Sequence, residues 1–205
     1  MNARLNKSVT LLELLIALSL IGLVVLGFSS IDLFSRFHVT TSDRRIQLQN
    51  DVATALEHMT KQISRAIGNT ADKAVKAYTD NKGIRIRIDD NPANGQVDAA
   101  DHWVAYRHED IGSPATDSEI RFYSNAGSTE TPAVPYESIA RRIVISSGGV
   151  YGVEFSGNFD ASGWLLDNIL EVKVSGRWNP SQAASNDNPE VTLRTRILMP
   201  TVSTN

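Results

Sequence analysis

The hydrophobic pattern changes its period twice along this chain. From Val9 to Ile31 apolar residues run almost without a break (VTLLELLIALSLIGLVVLGFSSI); Glu13 is the one ionisable side chain, and none occurs from Leu14 to Ile31. Beyond Asp32, Leu33, Phe34 and Phe37 continue the apolar character, and from Ile46 it narrows to a stripe. Val52, Leu56, Met59, Ile63 and Ile67 follow one another at steps of four, three, four and four residues, with Asp51, Glu57, Lys61 and Arg65 between them. That is the 3.6-residue period of a helix with one buried face. From Gly83 the period is two: Gly83-Ile84-Arg85-Ile86-Arg87-Ile88 alternates, which predicts a strand with Ile inward and Arg outward.

The first two patterns join into one predicted helix from about Val9 to Ile67, roughly 90 Å long at 1.5 Å per residue. Proline is absent before Pro92, and Gly68-Asn69 supplies a stop signal. The β-branched cluster around Val39-Thr40-Thr41-Ser42 is where a break would fall. Further strands are predicted at Trp103–Arg107, Ile120–Tyr123, Arg142–Ser146, Val150–Phe155, Ile169–Trp178 and Val191–Met199, with Ser147-Gly148-Gly149 as a tight hairpin turn. Gly112–Asp117, Asn125–Pro135 and Asn179–Pro189 read as exposed loops. Strands that follow a helix without alternating with helices give an α+β class, with the second half of the helix laid on an antiparallel sheet.

The apolar run has the length of a membrane span: Val9–Ile31 would cover roughly 35 Å as a helix, against a hydrocarbon layer of about 30 Å. It is longer than the core of an ordinary secretory signal, and no Ala-x-Ala site follows it. Met1–Ser8 (MNARLNKS) carries Arg4 and Lys7 and no acid, so the amino terminus is expected on the cytoplasmic side and the bulk of the chain beyond the membrane. A carboxylate inside such a span is costly and needs a partner.

These features together, a short basic leader followed by T-L-L-E-L-L opening an apolar run, resemble the class III signal of type IV pilins and type II secretion pseudopilins. The resemblance covers about the first 30 residues. It implies a cut by a prepilin peptidase between Ser8 and Val9 and methylation of the new amino terminus. It also implies that Glu13, then the fifth mature residue, pairs with the free amine of a neighbouring subunit during filament assembly. The chain departs from the family pattern in having Ser8 where Gly is usual before the cut and Val9 where Phe is usual after it. It also has Ser30 at the place of a helix-kinking Pro.

Composition adds exclusions. Among 205 residues there is no Cys, which rules out disulfides and thiolate chemistry. A net charge of −3 gives no general attraction to nucleic acid. Asp90-x-Pro92-x-Asn94-Gly95-Gln96-x-Asp98-x-x-Asp101 loosely follows the spacing of a calcium loop, so Asp90, Asn94, Gln96, Asp98 and Asp101 are candidate ligands; Pro92 sits at a ligand position, and a solvated loop is the plainer reading. Calcium also occurs in loops of some pseudopilins. His102 and His108 share a strand face but lie about 20 Å apart when extended, too far for one ion. His58 reads as a surface or packing residue, and Trp103, Trp164 and Trp178 as core or sheet-packing residues in preference to a ligand platform. P-loop, G-x-G-x-x-G, HExxH and G-x-S-x-G motifs are absent, so no enzymatic activity is expected.

The expected organisation is a leader (residues 1–8), a membrane or filament-core helix (9–31), its amphipathic continuation (32–68) and a β-rich domain of about 135 residues (69–205), an ordinary domain size. The expected function is that of a minor pilin or minor pseudopilin in a type IV pilus-like or type II secretion filament, with the filament tip as a candidate position. Its expected setting is the inner membrane, where its expected partners are other subunits and the peptidase, with secreted cargo as a further candidate. The alternative is a single-pass anchored extracytoplasmic binding or catalytic domain, for which an acid within the membrane has no evident use.

Overall fold

The computed structural model describes residues 10–69, 71–89, 95–98, 101–112, 115–127, 135–145 and 151–199. They form one long helix, α1 (Leu11–Ile63), followed by eight strands: β1 (Val75–Ala77), β2 (Gly83–Ile88), β3 (His102–Gly112), β4 (Ala115–Tyr123), β5 (Glu137–Arg141), β6 (Val153–Ser156), β7 (Ile169–Arg177) and β8 (Glu190–Leu198). The α+β class is therefore that of the sequence pattern. The chain divides into two compact units, the first ending at Asp43 and the second beginning at Arg44.

In the first unit α1 passes through Val39–Ser42 without a break. Thr40, in the β-branched cluster, turns its hydroxyl back onto the Arg36 carbonyl (2.9 Å), which satisfies the polar group without opening the backbone ladder. In the second unit α1 buries the stripe that its spacing predicts: Leu48, Val52, Ala55, Met59 and Ile63 are wholly buried. The helix ends at Ile63, four residues short of the expected Ile67, because the sheet captures the next backbone groups. Ala66 bridges Ile88, and the Ile67 amide donates to the Arg87 carbonyl (3.0 Å).

The single antiparallel sheet expected from the sequence is two. β1 to β5 form a five-stranded antiparallel meander in chain order, and β6-β7-β8 form a separate three-stranded antiparallel sheet. Both contribute to one core with the helix: Val52, Met59 and Ile63 share a cluster with Ile84, Ile86, Tyr106 and Ile120 from the first sheet and Leu170, Val172, Val174 and Ile197 from the second. Ile143 ties the sheets together, bridging Gly176 of β7 while its amide reaches the Ser118 carbonyl of β4 (3.3 Å).

Several boundaries differ from expectation. β1 was not foreseen, being only three residues long. The predicted strand at 142–146 lies instead at Glu137–Arg141, and Arg142 leaves it at a positive φ of 59°. The hairpin proposed across Ser147-Gly148-Gly149 lies outside the described residues; of the strands on either side, β5 pairs with β4 and β6 with β7. Of the expected loop Gly112–Asp117, Gly112 ends β3 and Ala115–Asp117 open β4, with the two strands paired antiparallel; residues 113 and 114 lie outside the described residues. Asn179–Pro189 is a connection as expected, but a moulded one. The buried Asn188 side chain donates to the carbonyls of Asn179 (3.0 Å) and Ala183 (3.0 Å) and accepts the Asn179 amide (2.6 Å).

In β2 the isoleucines point inward as expected, but Arg85 is not solvent-facing: it is 7% exposed. Its guanidinium lies 5.1 Å from the Trp103 ring centre and 5.5 Å from that of Trp164, while Arg87 lies 4.9 Å from Trp103. Indole faces attract cations and cover their apolar stems, so this outer row is a second packed layer.

Two consequences are measurable. A Cβ on Gly176 would sit 2.8 Å from Val52 Cγ2 and 2.9 Å from Leu48 Cδ1, so the helix lies against β7 only because that residue has no side chain. Gly176→Ala should cost about 1–3 kcal/mol in chemical denaturation. His108, fully buried on β3, is held below its ordinary pKa by burial, against the pull of Asp110 (Oδ1 at 3.6 Å) and Glu109 and with that of Lys82. The unfolded chain takes up a proton near pH 6.5 that the folded chain resists. The protein should hold its full share of this stability above that pH and lose up to about 1.4 kcal/mol per pH unit below it, until the folded pKa is passed. Urea titrations at neutral and mildly acidic pH should show a smaller loss for His108→Leu than for the parent chain.

Candidate functional site

The first unit presents the chemistry that the sequence singles out. Its helix is long and apolar enough to cross a membrane, and none of its most apolar window is buried. Leu14, Leu18, Leu23, Leu26 and Phe28 are each 57–71% exposed. A contiguous apolar surface of this size suits lipid or other apolar helices rather than water. The serines inside the run are already satisfied: Ser19 donates to the Leu15 carbonyl and Ser30 to that of Leu26, each at 2.9 Å. Asp32 and Arg36 close the stretch with a one-turn ion pair of 2.9 Å.

Glu13 stands at the head of this helix. Its Oε2 accepts the Thr10 amide (2.9 Å) and the Thr10 hydroxyl (3.0 Å), while the Thr10 hydroxyl oxygen accepts the Glu13 amide (3.2 Å). This reciprocal arrangement is a capping box, in which residue and partner each satisfy an amide that the first turn leaves open. Its sequence signal is Thr10-x-x-Glu13 directly before an apolar run, a motif not read in the sequence above. The negative charge also lies at the positive end of the helix dipole. Oε1 accepts no hydrogen bond from the described residues, which leaves half of the carboxylate available. Ser8 and Val9, the expected processing junction, lie outside the described residues.

The proposed calcium loop falls partly outside them too: Asp90, Pro92 and Asn94 are not described. Of the rest, Asp89 Oδ2 accepts the Gly95 amide (2.7 Å) and Asp101 Oδ2 the Asp98 amide (2.9 Å), with Gly95 at φ 73°. Gln96 and Asp98 are exposed beside them. The described carboxylates thus organise the backbone of the loop, and among the described residues no group of three or more His, Asp or Glu side chains is placed to hold a metal. His102 and His108 sit at opposite ends of an unbroken stretch of β3, opposite Ile88 and Ile120 respectively. His58 is a packing residue: its Nδ1 shares a hydrogen bond with the buried Tyr106 hydroxyl (2.9 Å), and its ring meets Phe122 edge-on. Burial pushes the Tyr106 phenol far above its ordinary value, so it remains protonated.

A feature without sequence signal is a cleft of about 680 Å³ beside the Asn179–Pro189 connection. Trp178 forms part of its wall, with the Arg142 guanidinium 4.0 Å and that of Arg44 5.5 Å from the ring centre. Arg44 also donates to the Asp187 carbonyl (2.8 Å). These residues are scattered from position 44 to 188, which is why periodicity could not assemble them. The described lining carries Arg44 and Arg142 with Asp117 and Asp187 and no His or Lys.

Comparison with protein-family models, with curated proteins and with solved structures finds no match.

Thr10→Val keeps the side-chain shape but removes the hydroxyl of the cap. Hydrogen exchange of the first-turn amides in detergent micelles should speed up by about fivefold, the equivalent of roughly 1 kcal/mol, while helix content stays the same.

Proposed function

We propose that this chain is a minor pilin or minor pseudopilin, a structural and assembly subunit of a type IV pilus-like or type II secretion filament. One observation carries the reading. A bare apolar helix opens on a carboxylate, and the same helix, Leu11–Ile63, supplies the central stripe of a β-rich unit. A simple anchor gains nothing from an acid at that position, whereas a subunit that bundles with its kin gains register from it.

In this reading a prepilin peptidase cuts between Ser8 and Val9 and the new terminus is methylated. The protein stands in the inner membrane with its amino terminus cytoplasmic and its β-rich unit on the far side, where it meets neighbours or cargo. During assembly the span leaves lipid for the company of other spans, which cover its leucines. Glu13 keeps its cap through Oε2 and offers Oε1 to the amine of an adjacent subunit. Charge pairing in a low-dielectric bundle is strong when geometry is right and costly when one partner is missing, so it selects one axial register. The role is one of assembly and carries no catalysis.

Glu13→Gln separates the cap from the charge, because glutamine sustains a capping box. Gln at this site should preserve membrane insertion and helix content yet reduce incorporation into filaments by tenfold or more; undiminished incorporation would remove the charge from the mechanism. The intact mass of the mature protein should begin at Val9 and include one added methyl group. An unprocessed mass would count against the family reading.

A further inference from the structure

We propose that the outer edge of β8 is a docking site for an extended acidic segment of another protein, which joins the three-stranded sheet as a fourth strand. This goes beyond the filament reading and does not depend on it.

The direction of the backbone groups follows from the hydrogen bonds on either side of β7. Ser175 receives the Val144 amide (2.9 Å) and donates to Gly152 (2.7 Å), and Arg177 donates to Arg142 (2.7 Å), all on the side away from β8. The alternate residues Val172, Val174 and Gly176 therefore face β8, opposite Thr195, Leu193 and Val191. Met199, next in the same odd-numbered series, donates to Asn168 (2.9 Å), which confirms the phase. The amides and carbonyls of Thr192, Arg194 and Arg196 must then point to the open side. β8 is the last strand of its sheet, and no described residue bonds these groups. By contrast, the outer edge of β1 is closed: the Ala77 amide donates to Gly163 (2.8 Å) and the Leu165 amide to Val75 (3.0 Å).

The side chains on the same row define what fits. Thr192, Arg194, Arg196 and Leu198 all face solvent, and Leu198 is 59% exposed. Neither arginine has an ion-pair partner among the described residues. Lys173, across from Arg194, is already taken by Glu154 at 3.0 Å, and Glu171, across from Arg196, forms no ion pair with it among the described residues. An incoming strand gains from acids opposite Arg194 and Arg196 and from an apolar residue opposite Leu198. Two copies of this chain pairing β8 to β8 about Arg194 would set like charges opposite each other, which is unfavourable, and the acid of the same row, Glu190, is already paired with Arg177. The same two residues thus close the edge to self-association and open it to an acidic partner.

The test uses the full chain in detergent micelles and follows amide exchange while a capped strand-forming peptide of alternating Thr and Glu, ending in Val, is titrated. Exchange at Thr192, Arg194 and Arg196 should slow by at least tenfold. A Lys-for-Glu peptide should protect at least tenfold less, and a backbone N-methylated Glu peptide should not protect at all. The double variant Arg194→Glu/Arg196→Glu, with both changes on exposed side chains, should reverse the preference. Absence of protection by the Glu peptide, or equal protection by the Glu, Lys and N-methylated peptides, would overturn the proposal. If the double variant does not fold, the peptide comparison on the unaltered chain decides the matter.

Discussion

The globular unit depends on the burial of one helical stripe. Leu48, Val52, Ala55, Met59 and Ile63 have no exposed surface, and each large one contributes roughly 1.5–3 kcal/mol by leaving water. A sheet of three strands with one apolar face is marginal alone, and the five-stranded meander also has an apolar face to cover. The stripe serves both, so helix and sheets share a single core. Close approach sets its own demand: β7 can lie against Val52 and Leu48 only where Gly176 leaves room. The helix also ends where strand β2 takes over its backbone partners, at Ala66 and Ile67.

The two ends of α1 solve opposite solvation problems with one secondary structure. In the first unit all backbone groups but those of the first turn are satisfied internally, which is the condition for residence in lipid. The first turn is the weak point, and Thr10 and Glu13 close it reciprocally. A carboxylate with one oxygen engaged and one available is at once a stabiliser of its own helix and a potential ligand for a second chain. That double capacity is why the proposed assembly role needs no further chemistry in the span.

Polar groups elsewhere are handled by stacking more than by exposure. Arg85 is nearly buried between indoles, Arg142 lies on Trp178, and Asn188 holds its loop by satisfying several carbonyls at once. Edges are treated unequally: β1 is sealed by residues 163–165, while the outer backbone groups of β8 have no partner among the described residues and lie alongside arginines. An unsealed edge bearing charge is protected from its own kind and selective toward others.

Local periodicity carried much of this protein. The stripe from Val52 to Ile63, the alternation of Gly83–Ile88, the strands at Ile169–Arg177 and Glu190–Leu198 and the apolar run with its acid were all legible, because each is a repeat within a few turns or pleats of one segment. The capping box, a four-residue motif, had a sequence signal but was found only in the structure. What only the tertiary structure decided depends on pairings between distant residues. The division into two sheets arises because β6 finds β7 rather than β5, and the end of α1 because β2 competes for its backbone. Arg85 is buried because Trp103 and Trp164 converge on it, and the Trp178 cleft gathers residues from position 44 to 188. Periodicity tells which face of an element is apolar; which other element covers that face is a competition among all of them, settled only when the chain is packed.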